Sequence, residues 1–380
     1  MSLPLVPDDI FDPALYSDVR KPFLEARTLP RWCYQSEAFY RREIERIFLR
    51  TWTFVDRVDA IPAEGDYLNV DTFAGPVLIL RDHAGHVRAF ANTCRHRGAR
   101  LLEGRGNCRA IVCPYHSWTY DLDGTLLRAL GMEKTSNFHQ GQLGLKPIRL
   151  EIWGGFIFIN FNDDSESLLD YLGDLTLRYE SYKFEDMVCT RRTEYTVECN
   201  WKLLLENAHE DYHTATVHKA SLGAQFSKPL PSPNGNWEAI MLPMETSVAV
   251  LPGEEAPFPH IAGLSEELAG GTFFTCIFPS TQFACVQDCM WWMRLMPKGP
   301  TCCRVQFGFC FPKSTVALAD FESSVEPYYR RWDMGIEEDN FTGELQQQGL
   351  TSALCEPGPL SWKESKVQAI ALWILDRVLD

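Results

Sequence analysis

The sequence predicts an α+β protein with two domains, a small antiparallel β domain followed by a larger domain of antiparallel strands and helices. The chain has 380 residues, enough for two hydrophobic cores. Its hydrophobic content of 45% and aromatic content of 12% indicate a well-packed globular protein. Short strand-like runs separated by turn residues dominate the first part, and helical and alternating patterns share the remainder.

The first domain is predicted over residues 37–165, after an irregular, proline-bearing segment over 1–36. A helix is expected over 36–52, because apolar residues recur on one face among Arg and Glu residues. Strands are then expected over 67–70, 77–81 and 87–92, and a buried strand over 153–161 closes the domain.

The second domain is predicted over residues 166–380. It begins with a helix over 165–179 and a strand over 189–199, and a loop-rich stretch follows over 221–270. The remaining strands are expected over 272–278, 282–286, 291–296 and 302–310, and the remaining helices over 317–332, 339–349 and 362–378.

A first group of metal-ligand residues lies in the small domain. Cys94 and His96 form a C-x-H pair, and Cys113 and His116 form a C-x-x-H pair. Two thiolates and two imidazoles suit either a structural zinc ion or a Rieske [2Fe–2S] cluster. The second pair is followed by an alternating run with an Asp-Gly turn, which predicts a hairpin and not the helix of a zinc finger. The flanking sequence therefore favours the cluster.

A second group lies in the larger domain. Glu206, Glu210 and His213 have the spacing of one helix face. His218 lies five residues beyond His213, roughly 140° around a helix, so the two imidazoles cannot share a metal on a regular helix. We therefore expect the helix to end or bulge between them. The alternative is a polar helix with solvated side chains.

Both segments resemble those of the Rieske non-haem iron oxygenases, and the resemblance covers about residues 37–350. It rests on C-x-H-R-G, C-P-Y-H-x-W and acid-x2-His-x4-His. It implies the terminal oxygenase alpha subunit, with a catalytic domain of the helix-grip, START-like kind in which an antiparallel sheet wraps around helices. Cys94 and Cys113 would ligate one cluster iron, and His96 and His116 the other.

The resemblance further implies a mononuclear Fe(II) held by His213, His218 and a distant carboxylate in an acidic pair that opens a C-terminal helix. Asp339 is the expected carboxylate, and Glu338 and Asp333 are its rivals. Acids at a helix N-terminus also interact favourably with the helix dipole, which explains the acidic pair without a metal.

Three further residues match family positions near the iron. Glu210 matches an acid that connects the mononuclear-iron histidine to the Rieske histidine of an adjacent subunit. That acid is commonly Asp, and the neighbouring Asp211 leaves the assignment open. Asn200 and Tyr212 also match positions near the iron, although Tyr212 could equally be a packing aromatic residue.

Composition limits partners and location. The net charge of −15 argues against nucleic acid and anionic membranes as partners. The thirteen cysteines lack the regular spacing of a disulfide framework, so free cysteines in a reducing cytoplasm are expected. No run of the sequence has the length and apolarity of a bilayer-spanning helix, and the N-terminus does not resemble a signal peptide.

The expected partners are O2, a small-molecule substrate and an electron donor. The sequence has neither a G-x-G-x-x-G motif between strand and helix nor plant-type ferredoxin cysteine spacing, so a separate NAD(P)H-dependent reductase is implied, with or without a ferredoxin. The resemblance also implies a homotrimer in which electrons pass between neighbouring subunits. The sequence does not tell whether a β subunit joins it.

The expected reaction is hydroxylation or oxidative demethylation of a small aromatic or quaternary-ammonium substrate, and aromatic ring cis-dihydroxylation is the alternative. A non-catalytic Rieske electron-transfer protein or a zinc-stabilised binding protein would leave the second group of ligands unexplained. The aromatic residues expected as candidates to line the substrate pocket are Phe273, Phe274, Phe283, Trp291 and Trp292.

Overall fold

The computed structural model describes residues 6–380, which divide into two compact units. The smaller unit is Phe48–Leu168, and the larger combines the described residues up to Ile47 with Leu169–Asp380. The sequence predicts the first domain from residue 37, whereas the helix Glu37–Glu43 lies in the larger unit. A buried ion pair explains this difference, because Lys202 Nζ donates to Glu43 Oε1 at 2.7 Å within that unit.

The smaller unit consists of short antiparallel strands in three sheets. The sheet orders are β1-β10-β9, β4-β3-β2-β5 and β6-β7-β8. The strands are β1 (Thr53–Arg57), β2 (Asp66–Thr72), β3 (Gly75–Arg81), β4 (Val87–Ala91), β5 (Arg105–Asn107), β6 (Ile111–Val112), β7 (Thr119–Tyr120), β8 (Leu126–Arg128), β9 (Arg149–Trp153) and β10 (Phe156–Asn160). The predicted hairpin after Cys113 and His116 is confirmed as β7 and β8.

The larger unit contains one antiparallel sheet of seven strands, in the order β11-β17-β16-β15-β14-β13-β12. Its strands are β11 (Met187–Val197), β12 (Lys228–Leu230), β13 (Trp237–Pro243), β14 (Gly271–Ile277), β15 (Thr281–Cys285), β16 (Met290–Gly299) and β17 (Cys302–Pro312). The strands β12 and β13 occupy a stretch predicted as loop. Proline and glycine residues around them hide the strand pattern in the sequence.

The α-helices are α1 (Glu37–Glu43), α2 (Leu168–Leu172), α3 (Leu175–Arg178), α4 (Trp201–Asn207), α5 (Thr214–Val217), α6 (Glu266–Ala269), α7 (Lys313–Val316), α8 (Phe321–Ser324), α9 (Glu326–Leu350) and α10 (Ser365–Val378). The helix predicted over 36–52 is shorter, since α1 passes into a π-helical turn, Ile44–Phe48. The predicted helix over 165–179 is divided at Gly173, which has a positive φ of 57°.

The largest departure from the predicted helices is α9. The sequence predicts a break near residues 333–338, but α9 runs continuously for 25 residues. Its buried residues recur along one face, among them Tyr328, Trp332 and Ile336, so packing holds the polar middle of the helix in register. Asp339 therefore lies in the interior of the helix and not at its N-terminus, and the helix dipole does not explain its position.

Two further expectations concern cysteines and membranes. All thirteen cysteines are free within residues 6–380, as predicted. No helix in that same part of the chain combines the length and apolarity needed to span a bilayer.

Candidate metal centres

The four predicted cluster ligands lie in one region of the smaller unit. Cys94 and Cys113 are buried in an apolar cluster of side chains that also contains Trp118 and Tyr120. The rings of His96 and His116 have centroids 4.8 Å apart, and His96 stacks on Trp118 at 4.9 Å. The structure therefore brings thiol and imidazole donors to the same end of the small β domain.

The donor atoms themselves fit a metal cluster. The Nδ1 atom of His116 is buried without a hydrogen-bond partner in the structure, as expected for an atom that ligates a metal. Partial desolvation of the exposed His96 ring, with added effects of His116 and Arg97, lowers its pKa, which favours the neutral imidazole that binds metal. Burial also raises the pKa of the Cys94 thiol, and the nearby Cys113 contributes to the rise.

The second predicted ligand set converges in the larger unit. One donor atom from each of His213, His218 and Asp339 lies within 4.8 Å of the others. Asp339 Oδ1 is 3.3 Å from His218 Nε2 and 3.7 Å from His213 Nε2. Two imidazoles and one carboxylate on one face of a site are the donors used by non-haem Fe(II) oxygenases.

The other ring nitrogen of each histidine faces a second carboxylate. Glu210 Oε1 lies 2.6 Å from His213 Nδ1, and Glu338 Oε2 lies 2.7 Å from His218 Nδ1. A carboxylate at Nδ1 fixes the tautomer with its proton there, which leaves Nε2 free to bind a metal. This arrangement distinguishes the two acids. Glu338 contacts Nδ1 of His218, whereas Asp339 faces the Nε2 atoms of both histidines.

The electrostatics of the triad agree with this assignment. Burial opposes a charged Asp339, but His218 and His213 together hold the pKa of its carboxyl below the usual value. Burial likewise opposes a charged His218, while Asp339 and Glu338 raise its pKa. A cation at this point would be stabilised by the same carboxylates.

The local backbone explains how two histidines five residues apart meet. The helix is interrupted twice here: α4 ends at Asn207, and the short helix α5 ends at Val217, between the two histidines as predicted. Glu210 accepts the backbone N–H groups of Tyr212 and His213, which takes them out of a helical ladder. The short helix α5 then carries His213 and His218 at its two ends.

Because the helix ends early, Glu206 does not share a helix face with Glu210 and His213. Its carboxylate instead accepts the Tyr34 hydroxyl at 2.9 Å in the protein interior. The expectation that the three residues lie along one helix is therefore wrong.

Other residues matched to the family lie elsewhere. Asn200 caps α4 by accepting the N–H of Lys202, donates to Pro300 O at 2.7 Å, and is not among the described residues lining the iron-site cavity. Tyr212 is exposed. The carboxylate of Asp211 pairs with Lys363 at 2.7 Å, so Glu210, and not Asp211, contacts His213.

The remaining rival carboxylate, Asp333, pairs with Arg191 at 2.9 Å and lies outside the triad. Asn207 is a site residue that the sequence analysis missed. Its Nδ2 donates to Asp339 Oδ1 at 2.9 Å across α4 and α9. Their separation of 132 residues leaves no local signal in the sequence.

A cavity of about 100 Å³ opens beside the triad. Of the five aromatic residues proposed from the sequence, Phe274 and Trp291 line it. Phe273, Phe283 and Trp292 are buried but do not line it, as expected for alternate positions of the strands. Side chains that the sequence analysis missed also contribute to the wall, namely Gln282, Met293, Phe307, Arg331 and Trp332.

A chain that joins a Rieske-type donor set to a two-histidine, one-carboxylate site is a Rieske non-haem iron oxygenase. Comparison with known families agrees: residues 184–380 match the ring-hydroxylating alpha subunit (catalytic domain), and residues 51–139 match the Rieske [2Fe-2S] domain. The chain belongs to this family. It is an oxidoreductase whose cofactors are a [2Fe–2S] cluster and a mononuclear iron, and it is the oxygenase component of a multicomponent system.

Among its relatives, the glycine betaine monooxygenase oxygenase subunit of Chromohalobacter salexigens is 28% identical and is matched over 88% of this chain and 82% of its own length. The chloroplastic choline monooxygenase of Beta vulgaris is 28% identical, over 92% and 75% respectively. The fold is similar to that of the quaternary ammonium Rieske monooxygenase CntA in complex with gamma-butyrobetaine. The two structures superpose with a TM-score of 0.80 at 21% sequence identity. The match covers 95% of this chain and 98% of the other.

Proposed function

We propose that the mononuclear iron is held by His213, His218 and Asp339, and that this site hydroxylates or oxidatively demethylates a small quaternary ammonium compound. The observation that carries the proposal is the convergence of the three donor atoms beside an aromatic-lined cavity. The wall contains Phe274, Trp291 and Trp332, and aromatic faces attract quaternary ammonium groups through cation–π contact. Two relatives, a glycine betaine monooxygenase and a choline monooxygenase, are named for quaternary ammonium substrates, which supports the proposal.

The cluster ligands in this proposal are Cys94, Cys113, His96 and His116. Two neutral imidazoles in place of thiolates raise the reduction potential of such a cluster. Held by these four residues, the cluster would supply electrons, and an iron held by His213, His218 and Asp339 would supply the activation of O2 for attack on a C–H bond. The domain that carries the cluster comprises about residues 48–168 in this proposal.

The protein side chains hold the metal ligands and the substrate in place, and none of them forms or breaks a covalent bond. Glu210 and Glu338 hold the Nδ1 protons of the two histidines, so both Nε2 atoms face the same point. Asn207 fixes the carboxylate of Asp339 from the opposite helix. The aromatic side chains of the wall, Phe274, Trp291 and Trp332, keep bulk water from the reacting methyl group.

The reaction balances with an external electron donor. An N-methyl group, O2, two electrons and two protons give the N-hydroxymethyl product and water. That product releases formaldehyde and a proton and leaves the demethylated amine. The electrons come from a separate NAD(P)H-dependent reductase, with or without a ferredoxin, and the catalytic assembly is a homotrimer.

Acidic side chains favour a cationic substrate at the entrance. The triad cavity shares Leu222 and Gln225 with a larger neighbouring space of about 790 Å³. Glu245, Glu254 and Glu255 line that space. Negative charge along the path to the iron site raises the local concentration of cations there. It repels anions that carry no positive group.

Metal analysis is the first test. Protein purified without oxygen should contain about three irons and two sulfides per chain, with a visible spectrum bleached by dithionite. His213→Ala with Asp339→Ala should lose one iron and keep the sulfide and the spectrum. A colourless zinc protein would contradict the proposal at its first step.

Turnover separates the substrate classes. With a surrogate reductase, glycine betaine or choline should stimulate O2 consumption with matching product, whereas the neutral tert-butyl isostere of choline should not. Stimulation by a neutral aromatic hydrocarbon, with a cis-dihydrodiol as product, would favour ring dihydroxylation instead.

A further inference from the structure

Arg331 is a buried cation on the wall of the triad cavity. Only 6% of its surface is exposed. Its Nε donates to the carbonyl of Val248 at 2.8 Å, and its guanidinium lies over the Trp291 ring with its carbon 5.2 Å from the ring centroid. Within residues 6–380 its two terminal nitrogens have neither a hydrogen-bond acceptor nor a carboxylate at ion-pair distance.

The guanidinium points along α9 towards the triad. Arg331, Gly335 and Asp339 are spaced by four residues and share one face of the helix. Arg331 Nη1 is 3.5 Å from the point that a β-carbon on Gly335 would occupy. Because Gly335 has no side chain, the space between the guanidinium and Asp339 stays open, over a Cα separation of about 12 Å.

A buried guanidinium in this position needs an anion. Burial lowers the pKa of Arg331 to about 10, so the group stays charged at neutral pH. The nearest acids, Asp339 and Glu338, already face the two histidines. A lone positive charge would repel a ligand that is only cationic, and buried charges are paired in stable complexes.

We propose that the substrate is a zwitterion, with a carboxylate bound by Arg331 and a quaternary ammonium group among the aromatic side chains. This inference rests on the proposed function and narrows its substrate class. The planar fork of the guanidinium matches a carboxylate with two hydrogen bonds, and its Nη atoms are the donors that remain free. Choline, which has no carboxylate, leaves the charge of Arg331 unpaired and binds weakly.

A structural role is the competing explanation. In that case Arg331 only ties α9 to the carbonyl of Val248, and its removal lowers stability without altering the discrimination between ligands. The two explanations differ in ligand preference, which binding measurements report directly.

The test measures dissociation constants of the iron-loaded oxygenase by calorimetry without oxygen. The ligands are glycine betaine, its methyl ester, choline, and the tert-butyl isostere of glycine betaine. We expect the wild-type protein to bind glycine betaine at least about 10-fold more tightly than its ester or choline. Arg331→Met should weaken glycine betaine binding at least about 30-fold and leave choline unchanged or tighter, with Arg331→Lys intermediate.

Arg178→Met is the matched control, because Arg178 is a partly buried arginine of the same unit that pairs with Glu267 away from the cavity. It should bind all ligands as the wild type does. If Arg331→Met does not fold, the comparison of glycine betaine with its ester on the wild type decides alone.

The outcomes separate the two proposals. Equal affinity for glycine betaine, its ester and choline overturns the inference and leaves the quaternary ammonium site standing. Binding of the tert-butyl isostere as tight as that of glycine betaine overturns the ammonium site. Failure of every quaternary ammonium ligand to bind the iron-loaded wild type overturns both.

Discussion

Each histidine of the candidate iron site is held by a carboxylate at the ring nitrogen turned away from Asp339. Glu210 does this for His213 from three residues away, whereas Glu338 does it for His218 from a distance of 120 residues. The first pairing follows from local spacing. The second depends on how α9 packs against the segment that carries the histidines, and no local pattern contains that information.

We expect Glu210→Gln to keep the cluster and the mononuclear iron but to lose coupled turnover, about 10- to 100-fold. Glutamine keeps the size of the side chain but removes the negative charge beside His213 Nδ1. The measurements are metal and sulfide content, and product formed per O2 consumed. Glu337→Gln, which changes an exposed acid of α9, is the control, and full activity in Glu210→Gln would contradict the role assigned to Glu210.

Glu206 predicts a pH dependence of stability. Burial raises the pKa of this carboxyl from 4.5 to about 7, although the Tyr34 hydroxyl and Lys202 oppose the rise. The folded protein therefore binds this proton more tightly than the unfolded chain does. The stabilisation is complete below pH 4.5 and is lost as the pH rises through 7.

Glu206→Gln should remove this loss. The stability of the variant relative to the wild type should rise between pH 5 and pH 7.5, by up to about 3 kcal/mol. Melting temperatures of both proteins across this range provide the measurement. Parallel pH profiles would show that Glu206 is already ionised in the folded protein.

At the scale of elements, the sequence predicts the later strands of the large sheet well and helix ends poorly. The strands β14 to β17 lie close to their predicted bounds, because their runs of apolar residues are bounded by turn residues. The break predicted within α9 is wrong because buried residues such as Trp332 and Gly335 continue the helix through a run of acids. That mistaken break also hid the shared face of Arg331 and Asp339.

The packing of β16 against β17 gives a test at this scale. Gly308 lies opposite Trp292, and a β-carbon on Gly308 would come within 2.1 Å of the indole ring. Gly308→Ala should lower the free energy of unfolding by about 1–3 kcal/mol or more, because Trp292 is buried and cannot move freely. It should also disturb Phe307 on the cavity wall.

Gly299→Ala is the matched control, since a β-carbon there meets no atom within 4 Å. Thermal unfolding of both variants checks the prediction. An unchanged melting temperature for Gly308→Ala would mean that the sheet adjusts at this position.

At the scale of the whole molecule, local sequence motifs predict residues for both metal centres, but not the division of the chain. The chain before Phe48 packs with the larger unit through contacts such as Arg20 with Asp376 at 2.7 Å. Contacts between the two ends of a chain have no local signature, so a boundary at residue 37 is the natural prediction from sequence. The ligands are easier to predict, because the members of each cluster-binding pair, and the two histidines of the iron site, lie within five residues of each other.

The proposed trimer predicts complementation between two inactive variants. His116→Ala should lose the cluster and keep the mononuclear iron, whereas Asp339→Ala should lose the mononuclear iron and keep the cluster. Each protein alone should be inactive. If electrons pass from the cluster of one subunit to the iron of its neighbour, mixed trimers contain working pairs, and co-expressed variants should recover a substantial fraction of activity. Product formation measures the recovered activity, and the mass from light scattering shows whether the co-expressed variants form a trimer. Mixed trimers that stay inactive would show that the two centres must lie on the same chain to work.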